Sequence, residues 1–343
     1  MREALLCVLR CPRCGNNPLL LEKERVDELE IKNGRTICNR CLAEYRISEG
    51  IIDFLNKANE RVMRERKAMD EEEYITDESG VKYRITDEAI EKFKDKFLTL
   101  PQGDGTYFFK RGGSFQGIVE ASGRFYSALE SLHLTGKEKI LEIGASFSYA
   151  SSKFAKIGCS VVALDISDYL KVSSLFIKNA YYDRVFSDMH NIPFQDNTFD
   201  IVFGAAVLHH SNDLKEIFSE IRRVLKTGGR IISINEPSRG IFEKVHPVFE
   251  EVKKKGFGDV SYTIPEWRKG AREGGFKKVK LEFLSLADDY ITRHKNRDTR
   301  DNFKLRLAHF FQSHRGIERF ILAVLILPRL LFRQKSWRLI GYK

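Results

Sequence analysis

The stretch Lys139 to Asp165, KILEIGASFSYASSKFAKIGCSVVALD, decides the fold. Ile140, Leu141 and Ile143 make a short apolar run that stops at Gly144, and Ala145, Ser146 and Ser148 then supply small residues where a backbone passes close to something. That pattern is a strand entering a ligand loop. From Tyr149 to Ile157 the apolar residues fall at helical spacing, Gly158 stands where a helix C-terminus favours glycine, and Val161 to Leu164 form a second buried strand ending in Asp165. The unit is βαβ. Its loop therefore lies at the carboxyl edge of a parallel sheet, in the crevice where open α/β folds bind nucleotide-like ligands. An acidic residue closing the second strand, here Asp165, is placed to accept hydrogen bonds from ribose hydroxyls.

Downstream, Phe186-Ser187-Asp188-Met189 is followed by NIPFQDNTFDIVFGAAVLHH, ending at His210, and then by LKEIFSEIRRVLKTGGRIISINEP, ending at Pro237. Together with ILEIGASFS and VVALDIS, these segments resemble, in order and spacing, the successive motifs of class I methyltransferases that use S-adenosylmethionine. The resemblance implies an α/β, doubly wound Rossmann-like methyltransferase sheet from about Ser114 to Leu286. It also implies a cofactor site built from Glu142, Gly144, Ala145, Ser146, Asp165, Ile166 and Ala205, with Asp188 and Met189 contacting the adenine. One departure concerns the loop, which in this family usually reads GxGxG; here Gly144 is followed by Ser146 and Ser148, so side chains occupy two positions where glycine normally lets backbone approach the ligand. A doubly wound fold that has lost its cofactor, serving as a non-catalytic zinc-binding scaffold, is the alternative.

Methyl transfer itself asks little of side chains, because the sulfonium already activates the methyl carbon and the enzyme mainly aligns a nucleophile with it. Direct displacement without a catalytic triad is therefore the expected mechanism. His209 and His210 follow the fourth strand at once, and an imidazole there can take a proton from a substrate hydroxyl or amine, which makes His210 the candidate catalytic residue. The plainer reading places both in a strand-to-helix turn.

Ahead of this core, Cys11-Pro-Arg-Cys14 and Cys38-Asn-Arg-Cys41 are two CxxC knuckles 23 residues apart. Four thiolates in matched pairs suit one structural, tetrahedral Zn2+ closed to water, and Asn33-Gly34 between short apolar runs reads as a hairpin turn. Cys7 and Cys159 fall outside the pattern and read as plain core residues. The segment is a zinc ribbon, and residues 7 to 55 resemble the small zinc-ribbon proteins that partner methyltransferases. Such a module raises RNA as a substrate, but no aromatic stacking motif accompanies it.

The chain has 343 residues, 42% of them hydrophobic, which is enough for several domains with a sizeable core and excludes a disordered chain. Met1 to Arg10 has no leader pattern, so the expected location is cytoplasmic, and the basic tail adds the inner face of the membrane as an alternative. The formal charge is +10, and from Glu250 onward 22 Lys plus Arg face 11 Asp plus Glu, leaving the rest nearly neutral. A basic C-terminal third attracts phosphate in RNA, in lipid headgroups or in a substrate. Within it, Ile317 to Phe332 holds the apolar run Phe320 to Leu327 between Arg315, Arg319, Arg329 and Arg333. This run is too short to span a bilayer, which takes about 20 apolar residues, but suits a membrane interface, a core-packed helix or a dimer contact.

The expected organisation is a zinc ribbon over 1–55, a charged helical connector or lid over 56–113, the methyltransferase core over 114–286 and a basic, partly apolar helical tail over 287–343. The expected acceptor is a small molecule or a lipid-linked one, with an RNA base as the competing class.

Overall fold

The computed structural model describes residues 1–55, 60–72, 75–77, 79–103, 114–245, 247–255, 257–283, 287, 290–291, 303–314, 316–318, 320–321 and 335–343. At the N-terminal end, strands β1 (Leu19–Val26), β2 (Ile31–Cys38), β3 (Glu44–Ser48) and β4 (Ile51–Asp53) pair antiparallel in sequence order. The first hairpin turns at Asp27 to Glu30, where the Asp27 carboxylate accepts the backbone N–H of Leu29 and Glu30, each at 2.9 Å. Asn33-Gly34 is not the turn that the sequence predicts. Gly34 lies inside β2 opposite Lys23, where a Cβ would come 2.3 Å from the Glu22 carbonyl oxygen, so glycine serves close strand approach there.

Helix α1 (Glu60–Glu72), the short strands β5 (Ile75–Thr76) and β6 (Lys82–Tyr83), and helices α2 (Asp87–Lys92) and α3 (Lys94–Leu98) come next. Two helices follow, α4 (Ser114–Glu120) and α5 (Ser122–Leu132), separated by a break at Ala121. The aromatic segment Tyr107 to Gly113 lies outside the described residues.

The opening stretch folds as read: β7 (Lys139–Ile143), α6 (Tyr149–Ile157) and β8 (Ser160–Asp165), with Gly158 at φ +107° ending the helix. Then follow β9 (Asp183–Phe186), β10 (Phe199–Ala205), α7 (Leu214–Val224), β11 (Leu225–Arg239), α8 (Pro247–Lys254), β12 (Tyr262–Thr263), α9 (Ile264–Glu273), β13 (Lys278–Phe283), α10 (Phe303–Ser313) and β14 (Lys335–Tyr342). The sheet order is β1-β2-β3-β4-β9-β8-β7-β10-β11-β14-β13, with β12 alongside β11. From β4 to β11 neighbours are parallel, while β14 runs antiparallel between β11 and β13. Neighbouring residues of one strand point to opposite faces, and both faces are covered. Ile140, Ile201 and Ile232 pack with Phe125 and Phe154, whereas Leu141, Val202 and Ile231 pack with Phe218 and Trp267.

Two features change the expected organisation. First, the ribbon is not a separate bead: β4 adds in parallel to β9, Ile52 opposite Val185, so ribbon and core share one sheet. Second, the C-terminal end is a strand, not part of a helical tail. Leu339 and Ile340 are buried from opposite faces, the Arg338 guanidinium pairs with Glu282, and a Cβ on Gly341 would lie 2.8 Å from Phe276. The strand closes a sheet from whose previous strand it is separated by 51 residues, and a short strand with that separation has no local signal tying it to its partners. Of the apolar run Phe320 to Leu327, only Phe320 and Ile321 are among the described residues. No helix among the described residues is long and apolar enough to cross a membrane.

Candidate active site

A cavity of about 420 Å³ opens at the carboxyl ends of β7, β8, β9 and β10. Glu142, Gly144, Ala145 and Ser146 line it from β7 and its loop, Asp165 and Ile166 from β8, Asp188 and Met189 after β9, Ala205 from β10, and His210 beyond it. Every residue that the sequence assigns to cofactor or catalysis thus borders one space.

The loop keeps a glycine-like course with few glycines. Gly144, Ser146 and Ser148 have φ of +63°, +47° and +54°. At Gly144 the hydrogen is required, because a Cβ would stand 2.3 Å from Val207 Cγ2. Ser148 is held by its hydroxyl, 2.7 Å from the hydroxyl of fully buried Tyr182. The Asp165 carboxylate organises both strand ends: Oδ2 accepts Ser146 N–H at 2.6 Å and Oδ1 accepts Ser167 N–H at 2.7 Å. Burial nevertheless raises its pKa above the ordinary value.

Glu142 accepts the backbone N–H and hydroxyl of Ser151, at 2.7 and 2.5 Å, and burial pushes its pKa up to about 8. Asp188 behaves oppositely: burial works to raise its pKa, but the His190 ring and N–H, both 2.8 Å from Oδ1, hold it below the ordinary value. Two buried polar atoms of the lining, Ser146 Oγ and Asn235 Oδ1, have no hydrogen-bond partner among the described residues. Asn235 sits at φ +63°, at the bulge where β11 slips register against β14. A polar ligand would satisfy both atoms, so the donor set fits a nucleoside cofactor.

His209 and His210 lie in the turn of 3₁₀-helix after β10, as the plainer reading has it, but the turn is wired further. Glu236 of β11 accepts the N–H groups of Val207, Leu208 and His209 at 3.0, 3.0 and 3.2 Å, and meets His209 Nδ1 at 3.0 Å. Asp259 Oδ1 stands 3.2 Å from His209 Nε2 and 3.8 Å from His210 Nδ1, and Glu65 Oε1 stands 2.9 Å from the latter. Burial disfavours a charged His209, yet Asp259 and Glu236 on its two nitrogens carry its pKa up to about 9.

The four knuckle cysteines also converge. Cys11 and Cys41 Sγ are 3.5 Å apart, as are Cys14 and Cys38, and all four sulfurs lie within 4.8 Å of one another. Tetrahedral zinc with Zn–S of about 2.3 Å places sulfurs roughly 3.8 Å apart, so the set fits that ion. Cys7 is exposed rather than core, while Cys159 is buried. The knuckle touches the cavity wall: Asn191 donates to the Pro12 carbonyl at 3.0 Å, two residues after Met189.

Sequence reading missed Arg61, Glu65 and Met69, which line the cavity from α1. Their charged surroundings read only as a connector or lid. It also missed Asn235, inside the last quoted motif, and Asp259, which lies beyond it; the local signal for the first was the polar pair Asn235-Glu236 closing an apolar strand.

Residues 141–233 match the methyltransferase domain family. Glycine/sarcosine/dimethylglycine N-methyltransferase of Actinopolyspora halophila is 22% identical over 66% of this chain and 44% of its own length. Sterol 24-C-methyltransferase of Saccharomyces cerevisiae is 25% identical over 63% of this chain and 60% of its own. The chain thus spans about half the length of these relatives. Among solved structures, phosphoethanolamine N-methyltransferase 2 of Haemonchus contortus in complex with S-adenosyl-L-methionine superposes with a TM-score of 0.52 at 19% identity, covering 88% of this chain and 62% of that one. Residues 141–233 thus match a methyltransferase domain, and the fold around them is the one seen in a solved methyltransferase.

Proposed function

We propose that the protein binds S-adenosylmethionine in the cavity at the strand ends and methylates a small-molecule or lipid-linked organic acceptor. The carrying observation is the lining itself: Asp165, the Gly144–Ser146 loop and two unsatisfied buried acceptors, Ser146 Oγ and Asn235 Oδ1, around one space of nucleoside size. A fold that had lost its ligand has no reason to keep those atoms buried and unpaired, which speaks against the scaffold reading.

S-adenosylmethionine supplies a methyl carbon already made electrophilic by its sulfonium. The chain's part is binding, orientation and exclusion of water. Asp165, fixed by two backbone donors, offers its remaining lone pairs to ribose hydroxyls, and Ile166 and Met189 provide apolar walls for a base. Glu142 is the buried acid closest in sequence to the loop, and a positively charged ligand favours its ionised form over the neutral one that burial imposes. Val62 and Met69 of α1 cover the opening with apolar surface, and Arg61 and His210 put polar groups beside the acceptor space.

Two features support an apolar or anionic acceptor. Relatives in the comparison carry names for sterol and small amine methylation. The segment 284–334, with 10 Lys plus Arg against 5 Asp plus Glu, leaves β13 and enters β14 at the sheet's carboxyl edge, the edge that holds the cavity. On this reading the segment meets an anionic membrane from the cytoplasmic side. The knuckle cysteines hold one structural zinc. The test is transfer of radiolabelled methyl into a lipid extract, a small-molecule extract and total RNA in parallel. Label is expected in one of the first two; label confined to RNA overturns the substrate class.

A further inference from the structure

The geometry points to a second metal centre, a divalent transition ion held by His209, His210 and Asp259, with Glu65 beside His210, on the acceptor side of the cavity. Its role in acceptor selection rests on the methyl-transfer reading; the site itself does not.

Three chain segments bring the donors together. The turn after β10 supplies both imidazoles, α1 supplies Glu65, and the loop before β12 supplies Asp259. That loop is pinned to the turn: Val260 N–H donates to the His209 carbonyl at 2.7 Å, and a Cβ on Gly258 would come 2.5 Å from the His210 carbonyl oxygen. Donor atoms of His209, His210 and Asp259 all lie within 4.8 Å of one another. Asp259 Oδ1 is 3.2 Å from His209 Nε2 and 3.8 Å from His210 Nδ1, the spacing of ligands that share an ion at about 2.0–2.2 Å.

The state of His210 separates a metal site from an ordinary ion pair. Its Nδ1 stands 2.9 Å from Glu65 Oε1, yet both are buried atoms that make no hydrogen bond among the described residues. An imidazole nitrogen left unpaired beside Asp259 is placed as a ligand for an ion.

Glu236 completes the pattern from behind. It faces His209 Nδ1 at 3.0 Å and fixes the ring so that Nε2 turns toward Asp259, the carboxylate–histidine arrangement that orients metal-bound imidazole. Two imidazoles with a carboxylate suit Zn2+, Fe2+, Co2+ or Mn2+ better than the all-oxygen preferences of Mg2+ and Ca2+. Because His210 lines the cavity, an ion on its Nδ1 stands where the acceptor enters and selects one bearing an oxygen ligand. His210 then acts through the ion, in place of the proton-accepting role that its sequence position implies.

Equilibrium dialysis of the intact chain against zinc chloride, with zinc counted by elemental analysis, tests this. Wild type is expected to hold one ion more than His210→Gln and Asp259→Asn, each checked for its fold by circular dichroism. An equal count in wild type and both variants overturns the site, whatever the cysteine cluster holds. Calorimetry with S-adenosylmethionine on the same samples separates the two readings. Cofactor binding without a zinc difference removes the metal centre and leaves methyl transfer standing; a zinc difference without cofactor binding does the reverse.

Discussion

Ser148 has a left-handed backbone where related loops carry glycine, and the cost of that conformation, about 1–2 kcal/mol, is offset by a buried hydroxyl pair with Tyr182. Ser148→Ala keeps the strain and leaves the Tyr182 hydroxyl only its long 3.4 Å contact with the Ser148 carbonyl, so it should lower stability by about 1–3 kcal/mol in chemical denaturation. Adding Tyr182→Phe should restore part of that loss, whereas full additivity would show that the two hydroxyls do not interact. Gly144→Ala should be worse than either. Its Cβ meets Val207 at 2.3 Å, and both the melting temperature and cofactor affinity should fall. At this scale the sequence was informative wherever a small or acidic residue ended a strand, because strand-end position alone aims Gly144, Asp165 and Ala205 at one space. It was uninformative for Glu65, since a glutamate in a charged helix carries no mark of which face will be covered.

Among the elements, the joint between β4 and β9 matters most, and it is closed by a buried ion pair. The Arg184 guanidinium of β9, 1% exposed, contacts both carboxylate oxygens of Glu30, at 2.5 and 2.6 Å. Burial works to raise the Glu30 pKa, but Arg184 and the neighbouring amino groups hold it at about 2, below the ordinary 4.5. The sign follows: stability from this pair is fully present above pH 4.5 and is lost as the pH falls through about 2. Glu30→Gln should therefore flatten the acid limb of the stability curve and cost about 3–5 kcal/mol at neutral pH, because Arg184 is left buried without its counter-charge. An acid limb unchanged by the substitution would place the titration elsewhere. Zinc removal by a chelator should loosen the knuckle that holds Asn191, and so weaken cofactor binding together with the ribbon's fold; retained affinity in metal-free protein would uncouple the two. The four-cysteine spacing made the ribbon legible, but its edge-to-edge union with the core was not, since strand pairing between modules leaves no periodic trace. β14 was missed for a related reason. Leu339→Asp, which places a charge at a 2% exposed position, should prevent stable folding of the core rather than trim a tail.

For the molecule as a whole, one continuous sheet carries the four-cysteine ribbon at one end and, at its carboxyl edge, both the cavity and the two ends of the basic segment 284–334. The doubly wound core could be read from Lys139 to Pro237 because its strands other than β9, which opens with Asp183-Arg184, are largely buried apolar runs with a turn residue behind them. The acceptor side could not, because it is assembled from α1, the loop at Asp259 and Asn235, which lie apart in sequence and meet only in the fold. Replacing 284–334 by a short polar linker should leave cofactor binding intact and abolish label transfer to a lipid acceptor; undiminished transfer would locate acceptor recognition within the sheet edge alone. The central claim is that the cavity binds S-adenosylmethionine through Asp165, and isothermal calorimetry measures it directly. Metal-replete wild type should bind one equivalent and Asp165→Ala should bind at least tenfold more weakly, a loss of about 1.4 kcal/mol. No detectable heat with the wild type, or equal affinity in the variant, would contradict the account.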